Sequence, residues 1–191
     1  MRAWSPADRS GSKMGFESLR REYRPEVVRV LFVGESRPAG GTFFYARDSL
    51  LYHATRDAFL EVYGEACGRE SSFPEFLKRR GYYVADLCPE PVNKLPRAAR
   101  EHAREKGIAP LASLITDATP SVVVVVMLEI VPYVTRALRE ATRNEQTPLA
   151  PIHQLPFPRS EHRARYVREL SALLREFDQA GTPAHEQGTS A

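Results

Sequence analysis

Ser121 to Leu128 reads SVVVVVML. Five consecutive valines leave a strand no polar face to turn to water, so this segment belongs at the centre of a parallel sheet covered by helices on both sides. Working outward, Val27 to Val33 (VVRVLFV) is another short β-branched run, closed by Gly34, and Tyr82 to Leu87 (YYVADL) a third, stopped by Pro89 and Pro91. Pro148 to Leu155 is a weaker fourth strand. Between these runs the apolar spacing changes to threes and fours. Leu51, Ala54, Ala58, Phe59 and Val62 mark a helix that Asp48 is placed to cap and Gly64 to end. Ser72 and Glu75 form the pattern of a reciprocal capping pair for a helix that stops at Gly81. Arg97 to Ala118 reads as a charged helical stretch broken in two by Gly107 and Pro110, and Val134, Ala137, Leu138 and Ala141 as the buried face of the next helix. Ser160 to Phe177 is the last, with Val167, Leu170, Leu174 and Phe177 on one side. Strand and helix thus alternate four times, which predicts an α/β protein: a three-layer α/β/α fold with a four-stranded parallel sheet and right-handed crossovers. In such folds ligands bind at the carboxyl ends of the strands, so the informative loops follow Val33, Leu87, Leu128 and Leu155.

The chain has 191 residues, enough for one hydrophobic core and too few for two ordinary domains. We expect a leader over residues 1–24, partly helical, one domain over 25–178, and a small, polar, disordered tail over 179–191. The apolar and charged fractions, 42% and 27%, are those of a globular protein, and no apolar run reaches the ~18 residues of a membrane span. The amino-terminal residues lack the apolar core of a secretory signal, so the expectation is a cytoplasmic monomer with no membrane partner. Cys67 and Cys88 stand far apart without a CxxC pair, which argues for buried thiols rather than a zinc knuckle or a disulfide framework. His153 and His162 have no regular metal-ligand spacing, so no metal is expected. A net charge of +3 is too small to imply nucleic acid by itself; where the charges sit must decide.

Three clusters hold the residues with chemical potential. The first, GESRPAGGTFFY (Gly34 to Tyr45), follows the first strand. Its glycines allow a tight turn and close approach to a ligand, Phe43 and Phe44 offer flat faces on which a planar ring can stack, and Glu35 stands at the strand exit, where a carboxylate can act on a water. No Gly-Lys-Ser/Thr follows, so this is not a phosphate-cradling loop of the nucleotide hydrolases. The second, DLCPEPVN (Asp86 to Asn93), would bring Asp86, Glu90 and Asn93 into the same crevice. The third, HQLPFPRSEHRARYV (His153 to Val167), delivers Ser160, Glu161, His162 and Arg163 to the start of the last helix, where free backbone amides attract a phosphate, with Arg159 and Arg165 adding positive charge.

These clusters, in this order and on these elements, resemble the motifs of the uracil-DNA glycosylase superfamily. The resemblance spans about Val27 to Phe177 through short motifs. Gly34-Glu35-Ser36-Arg37-Pro38 is similar to that family's water-activating loop, most of all to the branch with a GEAPG loop, with Phe43 or Phe44 as the ring under a flipped base. Asp86 falls where the family reads the base with a polar residue. LPFPRSEHR, Leu155 to Arg163, is similar to its final HPSPLSAHR loop. The resemblance implies Glu35 and His162 as catalytic residues, Gly34, Ser36, Phe43, Phe44, Asp86 and Asn93 as substrate-binding residues, Arg159, Ser160, Arg163 and Arg165 as DNA-binding residues, and DNA as the partner. Ser36 stands where several branches have Asp or Asn, Leu155 where a transition-state-stabilising His is found, and Asp86 where Asn is usual. The GEAPG branch holds an iron–sulfur cluster on four cysteines; with only two here, no cofactor is expected. Leucine cannot donate a hydrogen bond to charge developing on a departing base, and an ionised Asp86 would repel a uracil carbonyl yet accept from an exocyclic amine. The expected activity is cleavage of the N-glycosidic bond of a flipped, damaged or deaminated base. The alternatives are a non-catalytic nucleic-acid-binding or partner-binding module of the same fold, and a small-nucleotide hydrolase.

Overall fold

The computed structural model describes residues 13–143 and 149–181. Four strands, β1 (Val30–Gly34), β2 (Tyr82–Asp86), β3 (Val122–Val125) and β4 (Ile152–Gln154), form one sheet in the order β2-β1-β3-β4. Every neighbouring pair is parallel, with Val30 opposite both Tyr82 and Val122, and Val124 opposite His153. The valine run is the inner strand its composition demands: Val123, Val124, Val125 and Val126 are fully buried.

Six helices cover the sheet: α1 (Lys13–Glu22), α2 (Leu50–Tyr63), α3 (Phe73–Arg79), α4 (Arg97–Ala118), α5 (Val131–Ala141) and α6 (Arg163–Gly181). α4 packs on α5, and α2 on α6, which gives the expected three-layer α/β/α arrangement. The chain leaves β1 toward β2 on one side and leaves β3 toward β4 on the other. Between the carboxyl ends of β1 and β3 the loops therefore part and open a crevice.

Several local expectations are corrected. The strands are shorter than their apolar runs: Val27 is exposed ahead of β1, and Leu128 is exposed in a single 3-10 turn after β3. α2 is capped by Ser49, whose Oγ accepts from the Tyr52 backbone N–H, while Asp48 Oδ1 accepts from Phe43 N and ties down the preceding loop. Ser72 makes no side-chain cap bond to α3 among the described residues; its hydroxyl donates back to the Arg69 carbonyl. α4 is a single helix through Gly107 and Pro110. Proline removes one ladder bond, and burial of Ile108, Leu111, Ala112 and Ile115 holds the helix together around it. Gly107 is a point of close approach rather than a break, because a Cβ there would lie 2.2 Å from the Leu87 carbonyl oxygen. The last helix starts at Arg163, with Ser160 to His162 in a turn, and it runs to Gly181, into the expected tail. The rest of that tail, the leader before Lys13 and the start of the expected fourth strand at Pro148 lie outside the described residues.

The leader's helical part is built into the domain. Phe16 meets Phe43 edge-on at 5.0 Å between ring centroids, and Tyr23 stacks on Tyr45 at 5.5 Å. Arg37 lies 4.9 Å above the Phe16 ring and Arg20 5.2 Å above Phe43, so two guanidiniums bracket the aromatic pair. No helix among the described residues is long and apolar enough to cross a membrane.

Candidate functional site

At the carboxyl ends of the strands lies a cavity of about 820 Å³. All three sequence clusters reach it. Gly34, Glu35, Ser36, Phe43 and Phe44 line it from the loop after β1, and Asp86 and Asn93 from the end of β2 and its loop. Arg159 and Ser160 line it from the stretch before α6, and Arg163 from the helix's first residue. His162, in the turn, and Arg165, in α6, are exposed and are not among the lining residues. His162 there serves the helix start: its N–H donates to the Arg159 carbonyl and its carbonyl accepts from Tyr166 N.

Glu35 is buried, 7% exposed, and both of its oxygens are held by arginines from α4. Arg100 grips it with two bonds, Nε to Oε1 at 2.7 Å and a terminal nitrogen to Oε2 at 2.5 Å; Arg104 Nε donates to Oε1 at 2.7 Å. Burial, the largest influence, would raise its pKa, but the hydrogen bonds and charges of Arg100 and Arg104 together outweigh burial and hold the carboxyl below the ordinary glutamate range. It is charged at neutral pH and a weak base. Cys88 lies nearby, and burial, with the Glu35 charge second, pushes its thiol up to about 11, so it is an inert apolar filler; Cys67 is buried as well.

Asp86 is paired with Arg20 of α1 through Oδ2. Burial pushes the Asp86 carboxyl up and the guanidinium pulls it back, and the balance lies above the ordinary aspartate value. Gly34 is required beside it, since a Cβ there would come within 2.9 Å of Asp86 Oδ1. Ser36 stitches the first two clusters together, its Oγ donating to the Arg37 carbonyl and accepting from Val92 N, and Asn93 Oδ1 accepts from Ala39 N. Both are framework contacts that hold the loop shape. Phe43 and Phe44 are buried; Phe44 also touches Tyr45 and Tyr52 edge-on, so its ring is at once core and cavity wall. At the rim, Arg163 pairs with Asp57 at 2.6 Å, Arg165 with Glu169 at 2.7 Å, and the Ser160 hydroxyl donates to Glu161.

Two arginines outside the sequence motifs, Arg20 and Arg100, line the cavity together with Arg37 of the first motif, and Arg104 supports Glu35 from behind. Their signal in the sequence is periodic. Arg20 falls in the stripe of Phe16 and Leu19 in α1 and Tyr23 just after it, and Arg100 and Arg104 continue the stripe Ile108, Leu111, Ile115 of α4 at helical spacing. An arginine in an apolar stripe needs a buried acid opposite it.

Among the described residues no three His, Cys, Asp or Glu side chains gather as a metal ion requires. No family model matches the chain, and no curated protein matches it.

Proposed function

We propose that the protein binds DNA and takes a flipped base into the cavity at the strand ends, as a glycosylase-like hydrolase acting on the N-glycosidic bond. The observation that supports this reading most is convergence. Residues chosen from three separate loops because they resemble the uracil-DNA glycosylase motifs line one cavity, at the position where open parallel sheets bind ligands. About 820 Å³ is ample for a nucleoside. Phe44 supplies an aromatic wall and Asp86 a polar floor. Glu35, kept ionised by Arg100 and Arg104, orients a water and stabilises the positive charge that builds up on the sugar as the base leaves. Arg159 and Arg163 at the rim hold phosphates, with Arg163 exchanging Asp57 for the DNA backbone.

One observation favours a second reading, a DNA-binding protein without catalysis. The Arg100 and Arg104 bonds occupy most of the acceptor capacity of Glu35, which lowers its power as a base. Incubation with oligonucleotides bearing different damaged or deaminated bases, followed by alkaline cleavage of abasic sites, separates the two. Strand breaks at one modified base, lost in Glu35→Gln, support the glycosylase; binding without breaks across the whole panel supports the non-catalytic module.

A further inference from the structure

We infer that the Arg20–Asp86 pair reads a guanine-type base, one whose edge presents a carbonyl oxygen, a ring N–H and an exocyclic amine in a row. This rests on the cavity being a nucleobase site. Arg20 and Asp86 both line the cavity and are both nearly buried, with side chains 14% and 13% exposed. Their pairing leaves each with unused capacity. Arg20 spends one N–H of each terminal nitrogen, on Glu17 and on Asp86, and the second N–H of each is left for an acceptor. Asp86 gives Oδ2 to Arg20, while Oδ1 accepts no bond from the described residues. A Cβ at residue 34 would come within 2.9 Å of that oxygen, so glycine leaves it clear on that side. A carboxylate offers about four acceptor positions, so with one guanidinium bound it still asks for at least two N–H donors.

The demand is therefore one acceptor and two donors, side by side, on a planar ligand. Uracil and xanthine flank the ring N–H with carbonyls, one of which would meet the carboxylate. Adenine and cytosine set an amine beside a bare ring nitrogen and supply a single donor group. Hypoxanthine has the carbonyl and the N–H but lacks the second donor. The guanine edge supplies all three, its oxygen for Arg20 and its two nitrogens for Asp86. Hydrogen bonds to ionised partners are the strong ones, and a site built around a particular N–H discriminates against the analogue without it.

The test compares 2′-deoxyguanosine with 2′-deoxyinosine, which differ by the exocyclic amine alone, in calorimetric titrations of the intact protein. A preference for deoxyguanosine of about tenfold or more is expected, the weight of one hydrogen bond to a charged group. Asp86→Asn should erase the preference, whereas Arg20→Gln should weaken both nucleosides alike, since both present the same carbonyl. Equal affinities in the wild-type protein overturn the inference without recourse to any variant. Single-stranded oligonucleotides with guanine or hypoxanthine at one fixed position form the second arm. Oligonucleotides that bind without preferring guanine sink this inference and leave the DNA reading intact. A deoxyguanosine preference with no oligonucleotide binding supports the inference and sinks the DNA reading, and no binding in either arm sinks both.

Discussion

Glu35 shows how far one residue's role depends on partners that arrive from elsewhere in the chain. At its strand exit it reads as a carboxylate free to act on water; in the folded protein Arg100 and Arg104 hold it. Its pKa lies below the ordinary value of 4.5, so the stability it contributes is present above that value and is lost as the pH falls through the lower, folded value. Glu35→Gln leaves two arginines without their counter-charge and should cost about 3 kcal/mol at neutral pH, at the low end for a broken buried pair because Arg100 keeps 25% of its side chain in contact with water. The variant should also lose the acid-side decline of the wild type. Urea unfolding at neutral pH and near pH ~4 checks both, and parallel pH dependences for the two proteins would mean that the Glu35 charge adds nothing to stability. Phe44 needs a gentler change than alanine. Its ring is core as well as cavity wall, and truncation to alanine is expected to cost about 3–5 kcal/mol by cavity formation alone. Phe44→Leu keeps most of the volume and removes the aromatic face. Base binding should weaken by roughly 1–3 kcal/mol in that variant while its melting temperature stays near wild type, the loss expected for base stacking. A melt lowered as far as binding is weakened would make Phe44 a packing residue only.

At the scale of elements, the sheet, its order of strand and helix and the three-layer arrangement were legible because buried parallel strands and amphipathic helices write their burial into the sequence. Val122 to Val126 admits no other reading. The boundaries were less legible, since a cap is a competition between neighbours: Ser49 wins the α2 terminus because Asp48 is drawn off to Phe43 N. Gly107 and Pro110 read as breakers by intrinsic propensity, yet tertiary burial on α5 keeps α4 whole. The site was half legible. Loop motifs placed the cavity's walls, but Arg20, Arg100 and Arg104 belong to helices that meet the loops only in three dimensions. The α4 interpretation has its own check. Gly107→Ala drives a methyl into the Leu87 carbonyl and should destabilise by roughly 1–3 kcal/mol or more, whereas Gly40→Ala, with no heavy atom within 4 Å of the added carbon, should be near neutral. Thermal melts of the two variants side by side decide it; equal melting temperatures would mean that α4 does not lean on β2's exit as described.

Across the whole molecule, charge placement matters more than the net +3. Arginines at the cavity rim come from the stretch before α6 and from its first residue, and those on the cavity wall from α1, α4 and the loop after β1. Replacing Arg159 and Arg163 together by glutamine should weaken DNA binding without regard to sequence and flatten its log–log salt dependence by up to about 1.8, at about 0.9 for each phosphate no longer neutralised. An unchanged slope would assign both to the ordinary surface. That the cavity receives a base drawn from the DNA stack can be observed by placing 2-aminopurine beside a mismatched target nucleotide and following its emission as protein is added. Wild type should raise the emission on binding, because the neighbour leaves the stack. Thr42→Trp, which fills the cavity from a half-buried position on its wall, should bind the same DNA through the rim and leave the emission flat. An emission rise of equal size in both proteins, or DNA binding by wild type with no rise at all, would show that the bound base does not enter this cavity.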